Sequence, residues 1–433
     1  MDQSARGFFG HASAIVSQSR GTPTTIFLVC LAGWTLTNLD QSLFGYAIPG
    51  IRAEFGVDLN TVGWILSVSF GVSALAAVAI GVLADRYGRK IMFIISLGVS
   101  ALLVGLQGFA PDVFTLALLR TLSFGMSNGM ASLVITYTSE SAPARYRGLI
   151  TGFLGIGYPL GWFVASLGAA PLMESYGWRT AFYIAFAVVP PALLLFRVLP
   201  ESARFQALAK DAGPREHWTT QIKLLFSPEL RRRTLLCMVS FFAFGGAYSG
   251  TAFYFPTFYT EVRGYSQSAA TEIVGMSYFI GLGGYLGSAI VGEFYMTRRN
   301  TVTLWYWLGV LGLLGVVWLP DSRGQDILWF GIMATFFYGS QAVLGVFISE
   351  LFPTRVRATG SALAGTCALY AGFSVFPIVV AKVVDVVGWQ WAFTVVAAPL
   401  LFIAGAALLG IENIKSGVEL EVASTDRDVK IGS

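Results

Sequence analysis

Twelve long apolar runs follow one another along the 433 residues of the chain, and they restrict what the chain can fold into. Each run has roughly 18 to 26 residues, and a helix needs about 20 apolar residues to cross the hydrocarbon core of a bilayer. A barrel strand needs only about 9 to 11 residues of alternating polarity, and no run alternates in this way. The sequence therefore predicts an all-α integral membrane protein with twelve transmembrane helices. The runs are Thr24 to Pro49, Val62 to Leu83, Ile91 to Phe109, Val113 to Tyr137, Leu149 to Met173, Ala181 to Leu199, Leu235 to Tyr259, Ile273 to Val291, Val302 to Leu319, Ile327 to Ile348, Ala358 to Ala381 and Trp391 to Ile411.

The composition agrees with a membrane protein and excludes several other classes. Charged side chains make up 12% of the residues and apolar ones 55%, whereas an ordinary soluble protein carries about 25% charged residues. Cys30, Cys237 and Cys367 lie in apolar runs without ligand-type spacing, so we expect neither a disulfide framework nor a metal site. The net charge of +4 is small, and nucleic-acid binding would need basic clusters on a soluble face, which we do not expect in this chain. The expected surroundings are the lipid bilayer, with no cofactor.

Charged residues in the connections between the runs indicate the orientation in the membrane. Twelve spans place both termini on the same side, and cytoplasmic loops carry an excess of Lys and Arg. Of the 28 Lys and Arg residues, 22 fall in the termini and in the connections on their side, and five fall on the opposite side. The sequence therefore predicts a multi-pass protein of the cell (inner or plasma) membrane with both termini in the cytoplasm. We expect the monomer to be functional.

Two pairs of similar segments indicate an internal duplication. SESAPARYRGLITG, which begins at Ser139, resembles SELFPTRVRATGSA, which begins at Ser349, at an offset of 210 residues. GWRTAF from Gly177 resembles GWQWAF from Gly388 at an offset of 211. Two matches in nearly the same register predict a repeated six-helix unit. Transporters built from parallel repeats bind their substrate near the bilayer midplane, where the repeats meet.

A long polar stretch near the middle of the chain separates the two predicted units. The expected organisation is an N-terminal cytoplasmic tail (1–23), a first six-helix bundle (24–199), a cytoplasmic linker (200–233), a second six-helix bundle (234–411) and a C-terminal cytoplasmic tail (412–433).

The connection between the second and third spans carries the sequence GVLADRYGRK, from Gly81 to Lys90. It resembles the loop signature of the major facilitator superfamily, and the segments ESAPARYRG and LPESARF resemble the sugar porter and organic acid:proton symporter branches. Arg120, twenty residues before Glu140, resembles the fourth-helix arginine of the aromatic acid:proton symporters, although Phe124 and Thr37 depart from that pattern. The resemblance covers nearly the whole chain. It implies the major facilitator fold, in which two pseudo-symmetric six-helix bundles rock about a central site.

The same connection predicts a latch on the cytoplasmic side. Asp85 stands among the bases Arg86, Arg89 and Lys90, next to Gly88. Charge-assisted hydrogen bonds from this loop to the other half would have to break before that side opens. The alternative is that the bases only set the topology, which would require neither Asp85 nor Gly88. The further residues predicted for the latch are Glu140, Arg145, Arg147, Glu293, Arg298, Arg299, Glu350, Arg355 and Arg357.

Asp40 and Arg120 are the two charged residues that lie well inside predicted spans. A charge at mid-membrane costs about 2.5 to 3.5 kcal/mol on insertion scales, so such residues usually face a cavity and have a partner. Each lies nine residues from a proline at the outer end of its span, which places both roughly 13 Å below the outer surface. We therefore predict that they pair. The pair is either functional, in a central cavity, or a structural tie between two helices.

Helical spacing extends this site to neighbouring positions. The residues that share a face with Asp40 or Arg120 are Asn38, Gln41 and Gly45 on the first helix and Ser123, Ser127 and Asn128 on the fourth. Aromatic stripes on the seventh and tenth helices comprise Phe244, Tyr248, Thr251, Phe255, Phe330, Phe337 and Gln341. Such stripes are more often packing or lipid contacts, and the alternative is that Tyr248, Phe255, Phe337 and Gln341 line a substrate cavity.

Two motifs of other protein classes are incomplete. Gly125-Met-Ser-Asn-Gly129 fits a nucleophile pattern, but that pattern requires a strand-to-helix elbow and a nearby histidine, so we do not expect an enzyme. The phosphate-binding pattern G-x-x-x-x-G-K-[ST] does not occur, so energy must come from an ion gradient. Gly155, Gly157, Pro159 and Gly161 only partly resemble the antiporter signature, because Tyr158 separates the expected adjacent Gly and Pro.

These observations predict a secondary active transporter, with a small-molecule substrate and protons as its partners. We expect a proton symporter of a small organic anion such as a carboxylate, in which Arg120 binds the anion and Asp40 carries the proton. An anion that binds Arg120 weakens the stabilisation of ionised Asp40 by the guanidinium group. It also adds a second negative charge beside Asp40, and both effects favour protonation of Asp40. Anion and proton then bind cooperatively. The alternatives are an efflux antiporter of organic cations or drugs, a sugar or polyol porter, and a receptor that transports nothing.

Overall fold

The computed structural model describes residues 22–141, 147–201, 218–353 and 356–413, and the regular elements within these ranges are helices. The first half contains α1 (Thr22–Phe55), α2 (Leu59–Tyr87), α3 (Arg89–Gln107), α4 (Val113–Ser141), α5 (Arg147–Leu154 and Gly157–Tyr176) and α6 (Arg179–Tyr183, Ile184–Val188 and Val189–Val198). The short helix Trp218–Leu225 precedes the second half. The second half contains α7 (Arg231–Ser249 and Phe255–Glu261), α8 (Gln267–Phe294), α9 (Arg298–Trp318), α10 (Arg323–Met333, Ala334–Tyr338 and Gln341–Leu351), α11 (Arg357–Gly360, Ser361–Cys367 and most of Ala368–Ala392) and α12 (the end of Ala368–Ala392, Phe393–Ala397 and Ala398–Leu409).

Eight segments of the described chain are long and apolar enough to cross a membrane. The last one, Ser361–Leu409, contains both α11 and α12, because Gly388 breaks the helix with φ 79° and ψ 171°. The helices outside this set are α1, α4 and α7, which mix polar or charged side chains with apolar ones. The described chain therefore contains twelve helices that correspond to the predicted spans.

Glycines allow helices of the two halves to approach closely. α2 packs against α11, and α5 packs against α8. A Cβ atom at Gly63 of α2 would lie 3.1 Å from the Cα of Ile378 in α11. A Cβ atom at Gly275 of α8 would lie 1.8 Å from the hydroxyl oxygen of Ser166 in α5. Larger side chains at these positions would force the halves apart.

Five glycines of the described chain have a positive φ, a conformation that glycine adopts at little cost. Gly56 and Gly264 follow α1 and α7, and Gly177 and Gly388 follow α5 and α11. These four turns lie at one end of the bundle, which we call the Gly56 face. Gly88, between α2 and α3, lies at the opposite end, the Gly88 face. The matching turns of the two halves support the internal duplication.

Candidate functional site

Asp40 and Arg120 meet in the interior of the first half. A terminal nitrogen of Arg120 in α4 lies 3.1 Å from Oδ1 of Asp40 in α1, and the same nitrogen lies 3.4 Å from the Asp40 carbonyl oxygen. Arg120 is 0% exposed and Asp40 3%. The structure therefore brings together the two charges that the sequence predicted to pair. Both are closed to solvent in this arrangement, so a ligand reaches them only after the helices move.

The guanidinium group of Arg120 lies over two aromatic rings. Its central carbon is 4.6 Å from the ring centroid of Phe44 and 4.4 Å from that of Phe124. This stacking leaves the edge of the group available for hydrogen bonds. Nε and Nη2 of Arg120 are buried and have no hydrogen-bond partner among the described residues. Together, these two nitrogens can donate two parallel hydrogen bonds to the two oxygens of one carboxylate. We call this pair of donors the side-on fork of Arg120.

The second oxygen of Asp40 is held by a pair of serines. The hydroxyl of Ser127 in α4 donates to Oδ2 of Asp40 over 2.7 Å. The same hydroxyl lies 2.6 Å from that of Ser100 in α3. Ser127 was predicted from helical spacing, and Ser100 was missed. The polar positions Ser96 and Ser100, one turn apart in an apolar helix, were the signal that could have found it.

The other polar residues predicted for this site, Ser123, Asn38, Gln41 and Asn128, are buried. Ser123 donates to the carbonyl oxygen of Arg120 over 3.0 Å and accepts from Gln107 over 3.1 Å. Asn38 donates to the carbonyl oxygen one turn earlier over 2.7 Å, and its own side-chain oxygen has no partner in the described chain. Gln41 and Asn128 are each 6% exposed. Of these four residues, only Ser123 has a described hydrogen bond to Arg120 or Asp40, and it goes to the backbone of Arg120.

An aromatic cluster lies where the two halves meet. Tyr158 and Trp162 of α5 contact Tyr248 of α7 and Tyr278 of α8, with ring centroids 5.8 Å apart for Tyr158 and Tyr248 and 4.8 Å apart for Trp162 and Tyr278. Tyr338 of α10 stacks on Tyr278 at 5.3 Å. The hydroxyl of Tyr158 and the indole nitrogen of Trp162 are buried without a partner among the described residues. The sequence predicted only Tyr248 of this cluster.

The ring of Phe70 in α2 connects the aromatic cluster with the Arg120 site. Its centroid lies 4.9 Å from that of Phe124, which covers Arg120, and 4.9 Å from that of Phe373 in α11. Phe373 in turn lies 5.3 Å from Tyr248. A continuous row of rings therefore runs from the buried arginine to the contact between the halves.

The prediction of a continuous aromatic stripe along the seventh helix is wrong. The first segment of α7 ends at Ser249, and helical structure resumes at Phe255. Phe255 packs against Phe330 and Phe393, with centroid distances of 4.4 and 5.3 Å, in the core of the second half. Helical spacing failed because it assumed an unbroken helix.

Two of the predicted residues, Phe337 and Gln341, lie on α10. Phe337 contacts Tyr338 at 4.8 Å and Phe244 at 5.6 Å and is fully buried. It therefore supports the aromatic cluster from behind. Gln341 begins the last segment of α10 and is partly buried.

The Gly88 face carries ion pairs within the second half. Arg298 contacts Glu293 at 2.6 Å and also pairs with Glu350. Arg357 donates to the carbonyl oxygen of Phe352 over 3.3 Å. The predicted grouping of Glu293 with Arg298 is present in the structure, whereas the acid at position 350 pairs with Arg298.

The predicted latch loop of the first half is described only in part. The backbone amides of Arg89 and Lys90 donate to Glu201 over 3.0 and 3.3 Å. Gly88 has a φ of 104°, and the Arg86 guanidinium lies over the ring of its neighbour Tyr87 at 5.4 Å. The latch residues that lie outside the description, as whole residues or as side chains, are Asp85, Glu140, Arg145, Arg147 and Arg355. No cluster of three or more His, Cys, Asp or Glu residues that could hold a metal occurs in the described part.

Comparison with known proteins decides the family. The sequence pattern of the Major Facilitator Superfamily matches residues 30–372. The chain belongs to this superfamily. The predicted family, its twelve-helix fold and a transporter without enzymatic activity are thereby confirmed.

Relatives of this transporter are named for small organic substrates. The gallate transporter of Pseudomonas putida is 30% identical over 367 residues, which cover 77% of this chain and 80% of the relative. The 3-(3-hydroxy-phenyl)propionate transporter of Escherichia coli is 28% identical over 398 residues, covering 91% and 94%. The niacin transporter NiaP of Acinetobacter baylyi is 25% identical over 416 residues, covering 90% and 94%.

A solved structure supports the fold. A bacterial homolog to the human lysosomal transporter Spinster, in an inward-facing and unoccupied conformation, aligns with a TM-score of 0.67 and 17% identity. The alignment covers 91% of this chain and 99% of that one.

Proposed function

We propose that this transporter is a proton-coupled symporter of small organic acids, which bind through their carboxylate to Arg120. The observation that carries the proposal is the unused side-on fork of Arg120. Leaving a buried donor unpaired costs about 1–3 kcal/mol and more for a charged group, so a purely structural arginine would be expected to fill its fork. A carboxylate supplies two acceptors at the matching spacing.

The pairing of Arg120 with Asp40 provides the coupling. When no substrate is present, Arg120 and Ser127 stabilise ionised Asp40. A carboxylate on Arg120 competes for the guanidinium and adds a second negative charge close to Asp40. Protonation of Asp40 then becomes more favourable, and a protonated Asp40 in turn strengthens binding of the anion. Substrate and proton therefore load together and leave together.

The aromatic cluster favours a planar ring in the substrate. Aromatic pairs contribute about 0.5–1.5 kcal/mol beyond the area they bury, and the cluster joins residues of both halves. The unpartnered hydroxyl of Tyr158 and indole nitrogen of Trp162 can serve polar substituents on such a ring. The relatives named for gallate and niacin agree with an aromatic acid as substrate.

A matched pair of ligands tests this assignment. Benzoate and benzamide have nearly the same shape, and only benzoate is an anion. We expect the purified transporter to bind benzoate at least about tenfold more tightly than benzamide, because a charged hydrogen-bonded pair contributes about 1.5–3 kcal/mol. Preference for benzamide, or for a quaternary ammonium ligand or a sugar in the same assay, would contradict an anion site at Arg120.

The proposed transport cycle is a rocking of the two units 24–199 and 234–411 about this site, with both termini in the cytoplasm. Cysteine substitutions at Asp211, Glu419 and Asp321 test the orientation in intact cells. An impermeant thiol reagent should label the Asp321→Cys variant and leave the Asp211→Cys and Glu419→Cys variants unlabelled. Labelling of the Asp211→Cys variant from outside would reverse the assignment.

A further inference from the structure

Ser100 and Ser127 form a hydrogen-bonded chain to Asp40, and the role inferred for them rests on the proposed proton coupling at Asp40. Arg120 can stabilise only the ionised form of Asp40, because a guanidinium group donates hydrogen bonds and accepts none. A serine hydroxyl can donate or accept. The chain from Asp40 through Ser127 to Ser100, with links of 2.7 and 2.6 Å, can therefore satisfy Asp40 in either protonation state.

We propose that Ser127 and Ser100 are positioning residues that keep Oδ2 of Asp40 hydrogen-bonded both before and after Asp40 takes up its proton. With ionised Asp40, Ser100 donates to Ser127 and Ser127 donates to Asp40. When a proton from the aqueous phase binds the carboxylate, the new hydroxyl of Asp40 donates to Ser127, and Ser127 donates to Ser100. The serines rotate and keep their own protons, so no O–H bond of either serine breaks.

One small cavity and one charged group lie next to the hydrogen bonds from Asp40 through Ser127 to Ser100. A cavity of about 10 Å³ lies beside Asp40 and Ser100, close to the volume that a single water requires. The charged group that faces Asp40 in the described chain is Arg120 of α4. The cavity residues contributed by α3 and α6 are neutral, namely Leu97, Ser100, Ala101, Val104, Ala185 and Val188.

The pH dependence of benzoate uptake, driven by a proton gradient in proteoliposomes, tests this role. Ser127→Ala removes a donor to the carboxylate, so Asp40 should be protonated more readily, and the pH of half-maximal uptake should rise by about one unit. Ser100→Ala should raise it by less, because Ser127 can still donate. Ser127→Thr keeps a hydroxyl and should restore the wild-type profile. Ser96→Ala, one turn from Ser100 on α3, is the matched control and should leave the profile unchanged.

The outcomes separate this inference from the proposed function. If wild-type uptake does not respond to a proton gradient, the proposed function fails. If wild type responds and neither alanine variant shifts the profile, with or without a loss of activity, the inference fails. The same shift in Ser96→Ala would also overturn the inference.

At the Gly56 face the two halves share one contact and differ in the residue that follows its tryptophan. The indole nitrogen of Trp178 donates to Oε2 of Glu54 over 2.7 Å in the first half. In the second half, Trp389 donates to Oε2 of Glu261, also over 2.7 Å. Both tryptophans follow the positive-φ glycine of the repeated GW motif. The two halves therefore build the same indole–carboxylate contact.

The residue after each tryptophan breaks this symmetry. Arg179 donates from Nε and Nη2 to Oε1 of Glu54 over 3.1 and 2.7 Å, and these hydrogen bonds lower the pKa of Glu54. The corresponding residue of the second half is Gln390, which carries no charge. Oε1 of Glu261 pairs instead with Arg52, which lies on α1 in the other half.

We infer that the replacement of an arginine by Gln390 makes Glu261 available for a reversible lock with Arg52 that holds the Gly56 face closed. Other polar contacts join the halves at the same face: Asn60 donates to Asp385 over 2.5 Å, and Gln267 donates to the carbonyl oxygen of Tyr46 over 2.9 Å. The side chains of Arg52 and Glu261 are 24% and 41% exposed. Such partly exposed ion pairs are weak. A weak contact is suitable here, because the lock must break in every transport cycle.

The Gln390→Arg variant tests the lock, because it gives the second half the arginine that the first half has at position 179. Spin labels at Tyr176 and Val386, which are 74% and 82% exposed on different halves, report opening of the Gly56 face in a cysteine-free background. Gln390→Arg gives Glu261 a partner in its own half, so the open population should grow roughly two- to fivefold, as in Arg52→Ala. Arg179→Gln is the matched control, because it removes an ion pair within one half, and it should leave the distances unchanged.

The test of the lock does not depend on proton coupling, because it measures the distance between the two spin labels. Raising the salt concentration should also increase the open population of wild type and have little effect on Arg52→Ala. Wild-type distance distributions in both Arg52→Ala and Gln390→Arg would overturn the inference. An equal opening in Arg179→Gln would do the same, because it would show a general loosening of this face.

Discussion

Oδ1 of Asp40 and a terminal nitrogen of Arg120 lie 3.1 Å apart, and both side chains are almost completely buried. Two further nitrogens of Arg120 remain without a partner in the described chain. A buried ion pair contributes little net stability, but removal of one partner leaves an uncompensated charge. The pair is therefore best understood through the ligand and proton that it can exchange.

Arg120→Lys tests the fork. Lysine keeps the positive charge but cannot present two parallel donors to a carboxylate. We expect the Kd for benzoate to rise about 10- to 100-fold, in the range of a lost charged contact, while the Kd for benzamide changes by less than a few-fold. Binding measurements on the purified variant decide this. Equal losses for both ligands would indicate general disruption of the site.

Asp40→Asn tests the proton carrier. Without a group that changes charge at this position, an inward proton gradient should no longer drive accumulation in proteoliposomes. Exchange of labelled for unlabelled substrate requires no net proton movement, so it should survive. Accumulation at the wild-type level would exclude Asp40 as the carrier, and loss of exchange as well would point to a binding or folding defect.

Gly284→Ala tests the packing of the second half. A Cβ atom at Gly284 of α8 would lie 1.9 Å from the carbonyl oxygen of Thr335 in α10, and overpacking of this kind costs about 1–3 kcal/mol. We expect a lower thermal stability in detergent. Gly283→Ala is the matched control, because its Cβ atom would meet nothing within 4 Å. It should be neutral or slightly stabilising.

The sequence contained enough information for the helices and for the charged pair. Asp40 and Arg120 could be predicted because burial of a charge in a membrane demands a partner, and Ser127 followed from the spacing on α4. Ser100 could not be assigned, because single-helix periodicity does not show how α3 is rotated against α4. The cluster around Tyr278 and Tyr338 depends on contacts between the halves, which no local pattern specifies.

The break in α7 is a second feature that could not be predicted from the sequence of one helix. Gly250 of α7 approaches Val380 of α11, where a Cβ atom would lie 2.8 Å from a side-chain methyl group. The chain turns here and resumes as a helix at Phe255. The apolar run from Leu235 to Tyr259 gave no sign of this, because its hydropathy continues through the turn.

Asp85→Asn tests the proposed latch at the Gly88 face. Loss of the one acid of the GVLADRYGRK loop should shift the resting population toward one open face and slow net transport, while the Kd for substrate stays within a few-fold. Cysteine accessibility on both faces, together with uptake, measures these effects. Asp321→Asn, in a loop at the Gly56 face, is the control. Unchanged transport in Asp85→Asn would leave the loop only a role in topology.

The pH dependence of substrate affinity tests the coupling of anion and proton most directly. Benzoate stays ionised between about pH 5.5 and about pH 8, so a change in its affinity reports on the protein. For symport, wild type should bind benzoate more tightly at the lower pH, and Asp40→Asn, which resembles protonated Asp40, should bind it with an affinity independent of pH. Tighter binding by wild type at the higher pH, or an unchanged pH dependence in Asp40→Asn, would contradict the account.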